Sequence, residues 1–375
     1  MMTLKYNELT GFINAEQPAP VSEVAVIIVG FRNSGDIAAC LHALSRATSG
    51  PAFDVFICEN GGSDAFHRLI SDLLDEEGPC RRREPVGIAM DLAAGRFTQV
   101  ERLGFRTGAP NVWVGCAGDN LGYAGGINAW LFPLGRIDGW RGIWILNPDT
   151  EPTELALAAL FERAESGRKA MVGCTILDSD ESEHIRFRGG LHWQKIAARD
   201  VAIGLGERLD VSYDVAPVEQ AMDSPSGASM YVTRWCIEAI GPMDESYFLF
   251  YEDLDWGIRA KHLGLGYARD SIVIHKRGTT TGSARNAAAI PKLSVYLQHR
   301  NGIRFVRRHF PWTLPLRVAM SLFHAVRFLK RQAPRNSWAV IQGVSAGLRG
   351  ETGRPSWHRE NLASVAGAPS EFRPR

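Results

Sequence analysis

Apolar runs and segments of helical spacing alternate along the first half of the chain. EVAVIIVGF (23–31) and FDVFICEN (53–60) are short, rich in β-branched residues and free of polar alternation, which is typical of strands buried on both faces. Each precedes a segment with apolar residues at helical spacing, DIAACLHALSRA and HRLISDLL. This alternation of strand and helix predicts a parallel sheet with right-handed crossovers.

The pattern continues with the runs NVWVGCAG and GIWILNP, which predict two more strands, and with ELALAALFERAE, which predicts a helix. Ser34 and Asp36 are expected to cap the first helix, and Thr153 the later one. Two charge-rich and glycine-rich stretches, 75–110 and 178–222, are predicted to be loops and inserted hairpins.

Composition alters this picture mainly near the C-terminus. The 375 residues are 45% hydrophobic and 22% charged with a net charge of +1, so no global charge favours nucleic-acid binding. Residues 300–350, however, contain many Arg residues and no Asp or Glu, and they have helical spacing. The sequence therefore predicts an N-terminal extension (1–22), a central α/β domain (23–288) and a basic helical C-terminal region (289–375).

Three features concern the cellular compartment. The six cysteines form no CxxC pair and several lie in apolar runs, as buried free thiols do. The first twenty residues lack the apolar core of a signal peptide, and no run of about 18 apolar residues predicts a membrane span. A reducing, cytoplasmic location is therefore expected.

Polar residues end the predicted strands, where open α/β sheets bind their ligands. They are Asn33, Glu59–Asn60, Asn120 and Asn147–Asp149. Asp149 could hold a hard divalent cation that neutralises a diphosphate. Gly122, Gly125 and Gly126 would let backbone N–H groups approach a phosphate, although neither GxGxxG after the first strand nor a P-loop occurs. The alternative is that these residues only form turns.

An acidic stretch, YEDLDWGIRA (251–260), follows a run of aromatic residues. In a helix from Asp253 onward, Asp255 and Arg259 are i,i+4 partners, which favours a structural ion pair. Asp253 lies on another side, near the aromatic residues, where burial would raise its pKa toward that of a useful general base. The alternative is that Glu252 and Asp253 only cap this helix.

Small and basic residues flank this stretch. Ser226 and Gly227 are small enough for a sugar-sized ligand to approach the backbone. His275 ends a predicted strand, where a single histidine can be structural or a metal ligand. Lys276 and Arg277 follow it beside several threonines, which suits an anionic diphosphate.

Seven motifs occur in order between about residues 23 and 283: VAVIIVGFRNS, ICENGGSD, NLGYAGGIN, WILNPDT, SGASM, FLFYEDLDWGIRAKHLGLG and VIHKRGTTTG. They resemble bacterial family 2 glycosyltransferases of the GT-A fold, especially the rhamnosyltransferase-like branch of polysaccharide biosynthesis. The resemblance implies an α/β fold with a mostly parallel central sheet flanked by helices, here with a C-terminal helical extension. It also implies inverting transfer from a nucleotide-diphosphate sugar, with Mg²⁺ or Mn²⁺ on the diphosphate.

The resemblance also assigns roles to residues. Asp149 falls on the last acid of the family's DxD-type motif, with Asn147 in place of an acid, and His275 falls on a further metal ligand. Asp253 falls on the general base, and Glu252 is its acidic neighbour. The expected donor-binding residues are Phe31, Asn33, Glu59 (against the base), Asn120, Gly122, Gly126, Asn147, Lys276 and Arg277. The expected acceptor-binding residues are Ser226, Gly227 and Trp256.

The favoured function is transfer of rhamnose to a glycan or a polyprenyl-diphosphate-linked acceptor, while galactofuranosyl or another hexosyl transfer stays open. A sugar nucleotidyltransferase would need a basic glycine-rich loop after the first strand, and GFRNSGD contributes one Arg. A non-catalytic sugar-nucleotide-binding protein would not need Asp149, Asp253 and His275 together.

PWTLPLRVAMSLFHAVRFLKRQAP, within the basic region, mixes apolar and cationic residues. It predicts either a helix that packs its apolar side on the catalytic domain or an interfacial helix on the anionic inner face of the plasma membrane. An oligomer interface through these helices is a third alternative.

Overall fold

The computed structural model describes residues 22–83, 96–211, 213–276 and 287–358. Its strands are, in chain order, β1 (Val24–Gly30), β2 (Phe53–Glu59), β3 (Cys80–Arg82), β4 (Phe97–Phe105), β5 (Asn111–Ala117), β6 (Gly142–Leu146), β7 (Thr150–Pro152), β8 (Met171–Asp178), β9 (Glu181–Arg188), β10 (Gly190–Gln194), β11 (Arg199–Ala202), β12 (Ser224–Pro225), β13 (Ser229–Thr233) and β14 (Leu265–His275). Its helices are α1 (Ser34–Leu44), α2 (Ser63–Leu74), α3 (Gly122–Leu134), α4 (Ala156–Gly167), α5 (Val215–Ala221), α6 (Arg234–Ile240), α7 (Glu252–Ala260), α8 (Lys292–His309), α9 (Leu314–Lys330) and α10 (Pro334–Arg349).

Eleven strands form the main sheet, in the order β3-β4-β5-β2-β1-β6-β13-β8-β14-β7, with β9 paired to β8. The centre, β5-β2-β1-β6, is parallel throughout, as the sequence predicts. The antiparallel strand β13 follows it, paired to both β6 and β8. The carboxyl ends of the four central strands therefore meet at one edge, together with the beginning of β13.

Successive residues of the central strands face opposite layers of helices, which is why these strands are apolar without alternation. In β1, Val24, Val26 and Ile28 join a core cluster with residues of α1, α2 and α4. The intervening residues Ala25 and Ile27 join a second cluster with residues of α3, α6 and α7. The predicted α/β architecture, a mostly parallel central sheet flanked by helices, is confirmed.

The helix caps differ from the predicted ones. Asn33 is the N-cap of α1 instead of Ser34 or Asp36, and its side chain makes no capping bond. Leu155 is the N-cap of α4, while Thr153 accepts the Ala156 N–H with its backbone carbonyl. The Asn33 side chain does not cap α1 because its Oδ1 accepts the Phe31 N–H instead.

The charge-rich stretches form hairpins, as predicted, but most of their strands extend the main sheet. β4 pairs with β5 and β3, and β9 pairs with β8. β10 and β11 form a separate antiparallel hairpin, which β12 joins to make a three-stranded sheet. All six cysteines are buried free thiols, as the sequence indicates.

The basic C-terminal region forms α8, α9 and α10, as predicted. These helices share one core cluster that includes Phe248, which precedes α7. Phe305 and Val306 of α8 also pack with Trp193, Tyr247 and Leu254. α8 therefore packs against residues of the preceding α/β part of the chain, although it follows residue 289. Among the described residues, no helix is long and apolar enough to span a bilayer.

Candidate active site

Hydrogen bonds join the carboxyl ends of three central strands. Glu59 accepts the Arg32 N–H at 3.1 Å and the Gly61 N–H at 2.6 Å through Oε1. Asn60, at the end of β2, donates from Nδ2 to the Gly122 carbonyl at 3.0 Å. The chain segments that follow β1, β2 and β5 thus form one rigid wall at the edge where the sequence predicts donor binding.

Glu59 is completely buried, and its Oε2 has no hydrogen-bond partner. Burial raises the pKa of Glu59, and the amides of Arg32 and Gly61 oppose that rise. Oε1 is thus occupied by backbone N–H groups of the fold, whereas Oε2 is left to accept a hydrogen bond from a ligand. This geometry fits the expected contact with a nucleotide base.

Two of the predicted donor-binding asparagines stabilise turns. Asn33 Oδ1 accepts the Phe31 N–H at 2.9 Å, and Asn120 Oδ1 accepts the Gly122 N–H at 2.9 Å. Asn33 Nδ2 is buried without a partner, so it could still donate to a ligand. Asn147 holds the end of β6 against the start of β13, since its N–H donates to the Ala228 carbonyl at 2.9 Å.

The glycines of NLGYAGGIN are required by close packing. Gly122 has a φ of +73°, and a Cβ there would lie 2.2 Å from the Phe248 carbonyl oxygen. A Cβ at Gly126 would lie 2.7 Å from a Val29 methyl group. These glycines let α3 pack against β1 and against the aromatic loop (residues 247–251). The sequence analysis predicted an approach to phosphate for them and did not predict this packing role.

The acidic pair lies where an aromatic loop (247–251) enters α7. Asp253 is half-buried, and its Oδ2 accepts the Gly227 N–H at 3.1 Å. Its Oδ1 lies 2.8 Å from the Leu254 nitrogen, while Tyr251 occupies the N-cap position. Glu252 is 3% exposed, and its Oε2 has no hydrogen-bond partner. Neither acidic residue is the N-cap of α7, and Asp253 also accepts a hydrogen bond from the Gly227 backbone.

Burial is the main cause of raised pKa values in this pair. It raises the pKa of Glu252 to about 8, and repulsion from Asp253 adds to the rise. It also raises the pKa of Asp253 to about 6, with the Leu254 and Gly227 N–H groups opposing and Asp200 adding. A carboxylate of this kind is a stronger base than one in water, which is what proton abstraction from a hydroxyl requires.

Tyr123 stands at the centre of the site, and the sequence analysis missed it. Its hydroxyl donates to the Gly227 carbonyl at 2.5 Å. Burial raises the pKa of Tyr123, and the nearby carboxylates of Asp253, Glu252 and Asp149 raise it further. The Gly227 residue is therefore held on both sides, by Tyr123 at its carbonyl and by Asp253 at its N–H. An aromatic residue between the glycines of NLGYAGG was the available signal.

Asp255 has the structural role that the sequence predicts. It is fully buried and pairs with Arg259 Nε at 3.0 Å. It also contacts α8, through His309 Nε2 at 2.7 Å and Arg308 Nη1 at 3.2 Å. The His309 and Arg308 partners help to hold the pKa of Asp255 below its usual range despite burial. Asp255 thus fixes α7 to the C-terminal helices.

The two predicted metal ligands come together. His275 Nε2 lies 3.2 Å from Asp149 Oδ1, and both side chains are nearly buried. His275 Nδ1 is buried without a partner. One carboxylate and one imidazole fit a divalent cation whose other ligands come from a diphosphate or water. No group of three or more His, Cys, Asp or Glu ligands occurs in the described part of the chain.

Of the two predicted diphosphate cations, Lys276 pairs with Glu151 at 2.6 Å and is partly exposed. Arg277 lies outside the described residues.

The predicted acceptor residues have three different environments. Ser226 is 4% exposed and its hydroxyl accepts the Ala228 N–H at 3.3 Å. Gly227 borders the Asp253 carboxylate directly. Trp256 is fully buried in the core and donates its indole N–H to the Gly241 carbonyl at 2.9 Å. Trp256 has neither exposed surface nor a free polar atom to offer an acceptor, so we do not retain it in that role.

Curated relatives of the chain are glycosyltransferases. Over 264 residues, covering 62% of this chain and 82% of the relative, it is 28% identical to N-acetylglucosaminyl-diphospho-decaprenol L-rhamnosyltransferase of Mycobacterium tuberculosis. It is 27% identical to the dTDP-rhamnosyl transferase RfbF of Shigella flexneri, over 40% of this chain and 53% of that protein. It is 23% identical to a low-salt glycan biosynthesis hexosyltransferase of Haloferax volcanii, over 64% and 76%. The resemblance to rhamnosyltransferase-like glycosyltransferases is confirmed.

No family model matches the chain. Among solved structures, the mannosyltransferase PcManGT of Pyrobaculum calidifontis, in complex with GDP-Man and Mn²⁺, is 11% identical over 95% of this chain and 83% of its own, with a TM-score of 0.44. A likeness at this level carries no argument about the chemistry of the site.

Proposed function

We propose that the protein is an inverting glycosyltransferase that moves rhamnose from a nucleotide-diphosphate donor to a lipid-linked glycan acceptor in cell-surface polysaccharide biosynthesis. The observation that carries the proposal is the convergence of Asp253, whose pKa is raised, with the Asp149–His275 pair around Tyr123. The rhamnosyltransferase names of two relatives favour rhamnose over other hexoses.

Asp253 is the general base in this mechanism. It takes the proton from an acceptor hydroxyl as the hydroxyl oxygen forms a bond to the anomeric carbon and the bond to the diphosphate oxygen breaks. The Gly227 N–H holds one carboxylate oxygen, and Tyr123 fixes the Gly227 carbonyl, so the base keeps its orientation. Because the acidic pair is largely buried, water solvates the Asp253 carboxylate less, and the carboxylate is therefore a stronger base.

Asp149 and His275 would hold a divalent cation, Mg²⁺ or Mn²⁺, against the donor diphosphate. The cation would supply positive charge that stabilises the leaving diphosphate. Asp149 and His275 are brought together by β7 pairing with the end of β14, and the Lys276 N–H donates to the Asp149 carbonyl at 2.9 Å. Glu59 and Asn33, which each keep one buried unpartnered polar atom, would bind the nucleoside.

A lipid-linked acceptor is consistent with the outer surface of α9. Leu322, Phe323, Val326 and Leu329 are each 45–55% exposed on this helix, beside the exposed cations Arg327 and Lys330. This mixture favours the interfacial helix over a helix that packs its whole apolar side on the catalytic domain. Arg317, by contrast, is 7% exposed and donates to the Ala198 carbonyl, so it is a structural residue.

The function is tested with Asp253→Asn. Loss of a positioned base typically lowers turnover about 10²–10⁴-fold. We expect that loss in transfer from dTDP-rhamnose to a polyprenyl-diphosphate N-acetylglucosamine acceptor, with donor affinity within a few-fold of the wild type. Asp64→Asn, at an exposed position of α2, is the control and should keep full activity. Near-normal turnover of Asp253→Asn would refute the role of the base, and Glu252 would be tested next.

A further inference from the structure

The aromatic loop that presents the acidic pair has an unusual backbone. Phe248, Phe250 and Tyr251 have φ angles of +67°, +70° and +74°. Residues other than glycine rarely adopt this left-handed region, and bulky ones do so only where the surrounding structure holds them. The conformation of residues 247–251 must therefore be imposed by contacts from elsewhere.

Those contacts are made to four consecutive carbonyl oxygens. The Asn301 Nδ2 amide lies 2.9 Å from the Tyr247 carbonyl oxygen, 2.8 Å from that of Leu249 and 3.0 Å from that of Phe250. The remaining carbonyl, of Phe248, accepts the Tyr123 N–H at 2.7 Å. One side chain of α8 thus contacts three of the four carbonyls.

Asn301 is itself held in one orientation. Arg300 donates from Nε to Asn301 Oδ1 at 2.9 Å, which turns the amide NH₂ toward the loop. Arg300 also donates to the Tyr247 carbonyl at 3.0 Å and to the Gly353 carbonyl at 2.6 Å. Both side chains are almost completely buried, at 0% and 1% exposure. Polar groups buried this deeply and directed at a loop serve the loop conformation more than the packing of α8.

We propose that Asn301, oriented by Arg300, is a positioning residue for the general base Asp253. It acts through the loop 247–251, which leads directly into Glu252 and Asp253. The proposal rests on the proposed function, because Asp253 needs to be placed only if it abstracts a proton. It assigns a part of the site to a helix beyond the segment that carries the seven sequence motifs.

The test is Asn301→Ala, with Asn336→Ala as the matched control. Asn336 is also a buried asparagine of the C-terminal helices, and it donates to the Ala287 and Ile290 carbonyls at 2.8 and 3.0 Å. Asn301→Ala removes the contacts to three carbonyls and the bond from Arg300, and Asn336→Ala removes bonds to two carbonyls outside the loop. The control therefore shows what the loss of a buried asparagine amide does when the loop 247–251 is not its partner. Asn301→Ser, which keeps one donor, is a milder second variant if the alanine variant folds poorly.

Four quantities are measured for each variant: the melting temperature, hydrogen–deuterium exchange of the peptide covering 247–251, and kcat and KM with dTDP-rhamnose. For Asn301→Ala we expect faster exchange in the loop and a kcat lowered about 10- to 100-fold, since a misplacement of about 1 Å can cost 10²-fold. KM for the donor should stay within about threefold. Asn336→Ala should lower only the melting temperature. The loop exchange and the kcat of Asn301→Ser should lie between those of the wild type and those of Asn301→Ala.

Two results would overturn the proposal. One is that the loop exchanges no faster in Asn301→Ala than in Asn336→Ala. This comparison does not require any enzymatic activity. The other is faster exchange with an unchanged kcat. If the wild type neither transfers nor hydrolyses dTDP-rhamnose, the proposed function fails, whereas the exchange comparison still decides whether Asn301 holds the loop.

Discussion

Gly227 allows the position of the base to be changed without touching the base itself. A Cβ built at this residue would lie 2.7 Å from Asp253 Oδ2 and 3.1 Å from its Cγ. Gly227 is not among the residues with positive φ, so alanine there introduces no backbone strain. Gly227→Ala therefore acts through the approach to the Asp253 carboxylate.

The size of the effect follows from the distances. Ordinary van der Waals contact begins at 3.4 Å, so the carboxylate must retreat by about 0.7 Å or rotate away from the Gly227 N–H. A misplacement of about 1 Å costs roughly 10²-fold in rate, and a smaller one correspondingly less. We expect kcat for rhamnose transfer to fall about 10- to 100-fold. KM for the donor should change little, because Glu59, Asp149 and His275 lie on other segments of the chain, at or just after the ends of other strands.

The assay is steady-state transfer from dTDP-rhamnose at saturating acceptor, with donor binding measured separately by thermal shift. Gly35→Ala is the matched control, since a Cβ there has no atom within 4 Å. Gly35 lies in α1, where alanine is the better helix former, so its activity and stability should be retained. If Gly227→Ala keeps a kcat within threefold of Gly35→Ala, the close contact does not position the base and the reasoning is wrong.

Three further predictions concern metal, membrane and pH. EDTA should stop transfer and Mn²⁺ should restore it, whereas Asp149→Ala should stay inactive at ordinary metal levels; full activity in EDTA would show that basic residues alone stabilise the leaving diphosphate. The protein should cosediment with anionic liposomes at low salt and dissociate from them at about 0.5 M NaCl, because salt screens the attraction. Phe323→Ser should weaken liposome binding, whereas Leu155→Ser, which changes an exposed leucine next to α4, should not. If the full-length protein does not bind such liposomes, α9 has a structural or oligomeric role instead. Burial raises the pKa of Glu252 from 4.5 to about 8. Between these two pH values the folded state binds more protons than the unfolded state, so the stability of the wild type falls as the pH rises from 4.5 to 8. Glu252→Gln should therefore have the higher melting temperature above pH 8 and lose this advantage below pH 4.5, and an advantage that does not change with pH would contradict the cause.

The central sheet and its polar strand ends could be predicted because both depend on local pattern. Each parallel strand is an apolar run, and polar residues such as Glu59, which ends β2, and Asp149, three residues after β6, lie at the ends of such runs. The ion pair of Asp255 with Arg259 could also be predicted, because helical spacing alone brings the two together. The pairing of Asp149 with His275 could be predicted only from the resemblance to a family, because the two residues lie far apart in the chain.

Contacts between distant segments could not be predicted from pattern. Tyr123 and Gly227 are separated by 104 residues, and nothing in either motif shows that the phenol reaches that carbonyl. Trp256 was expected to bind the acceptor, yet the helix turns it into the core. The boundary near residue 289 was predicted from the change in charge. In the structure, Asn301 of α8 contacts carbonyls of the aromatic loop, and His309 of α8 contacts the buried Asp255 carboxylate.

The burial of α8 determines where this chain can be recombined with related transferases. A chimera joined at residue 289 would pair the aromatic loop of one parent with the α8 of another, and the fit between an asparagine amide and three carbonyls would be left to chance. A junction at the turn between α8 and α9, around Phe310–Thr313, keeps the loop and its partner helix from the same parent. Transplanting α9 and α10 at that junction should therefore keep the conformation of the loop 247–251, whereas the core cluster that α8 shares with α9 and α10 must be matched between the two parents.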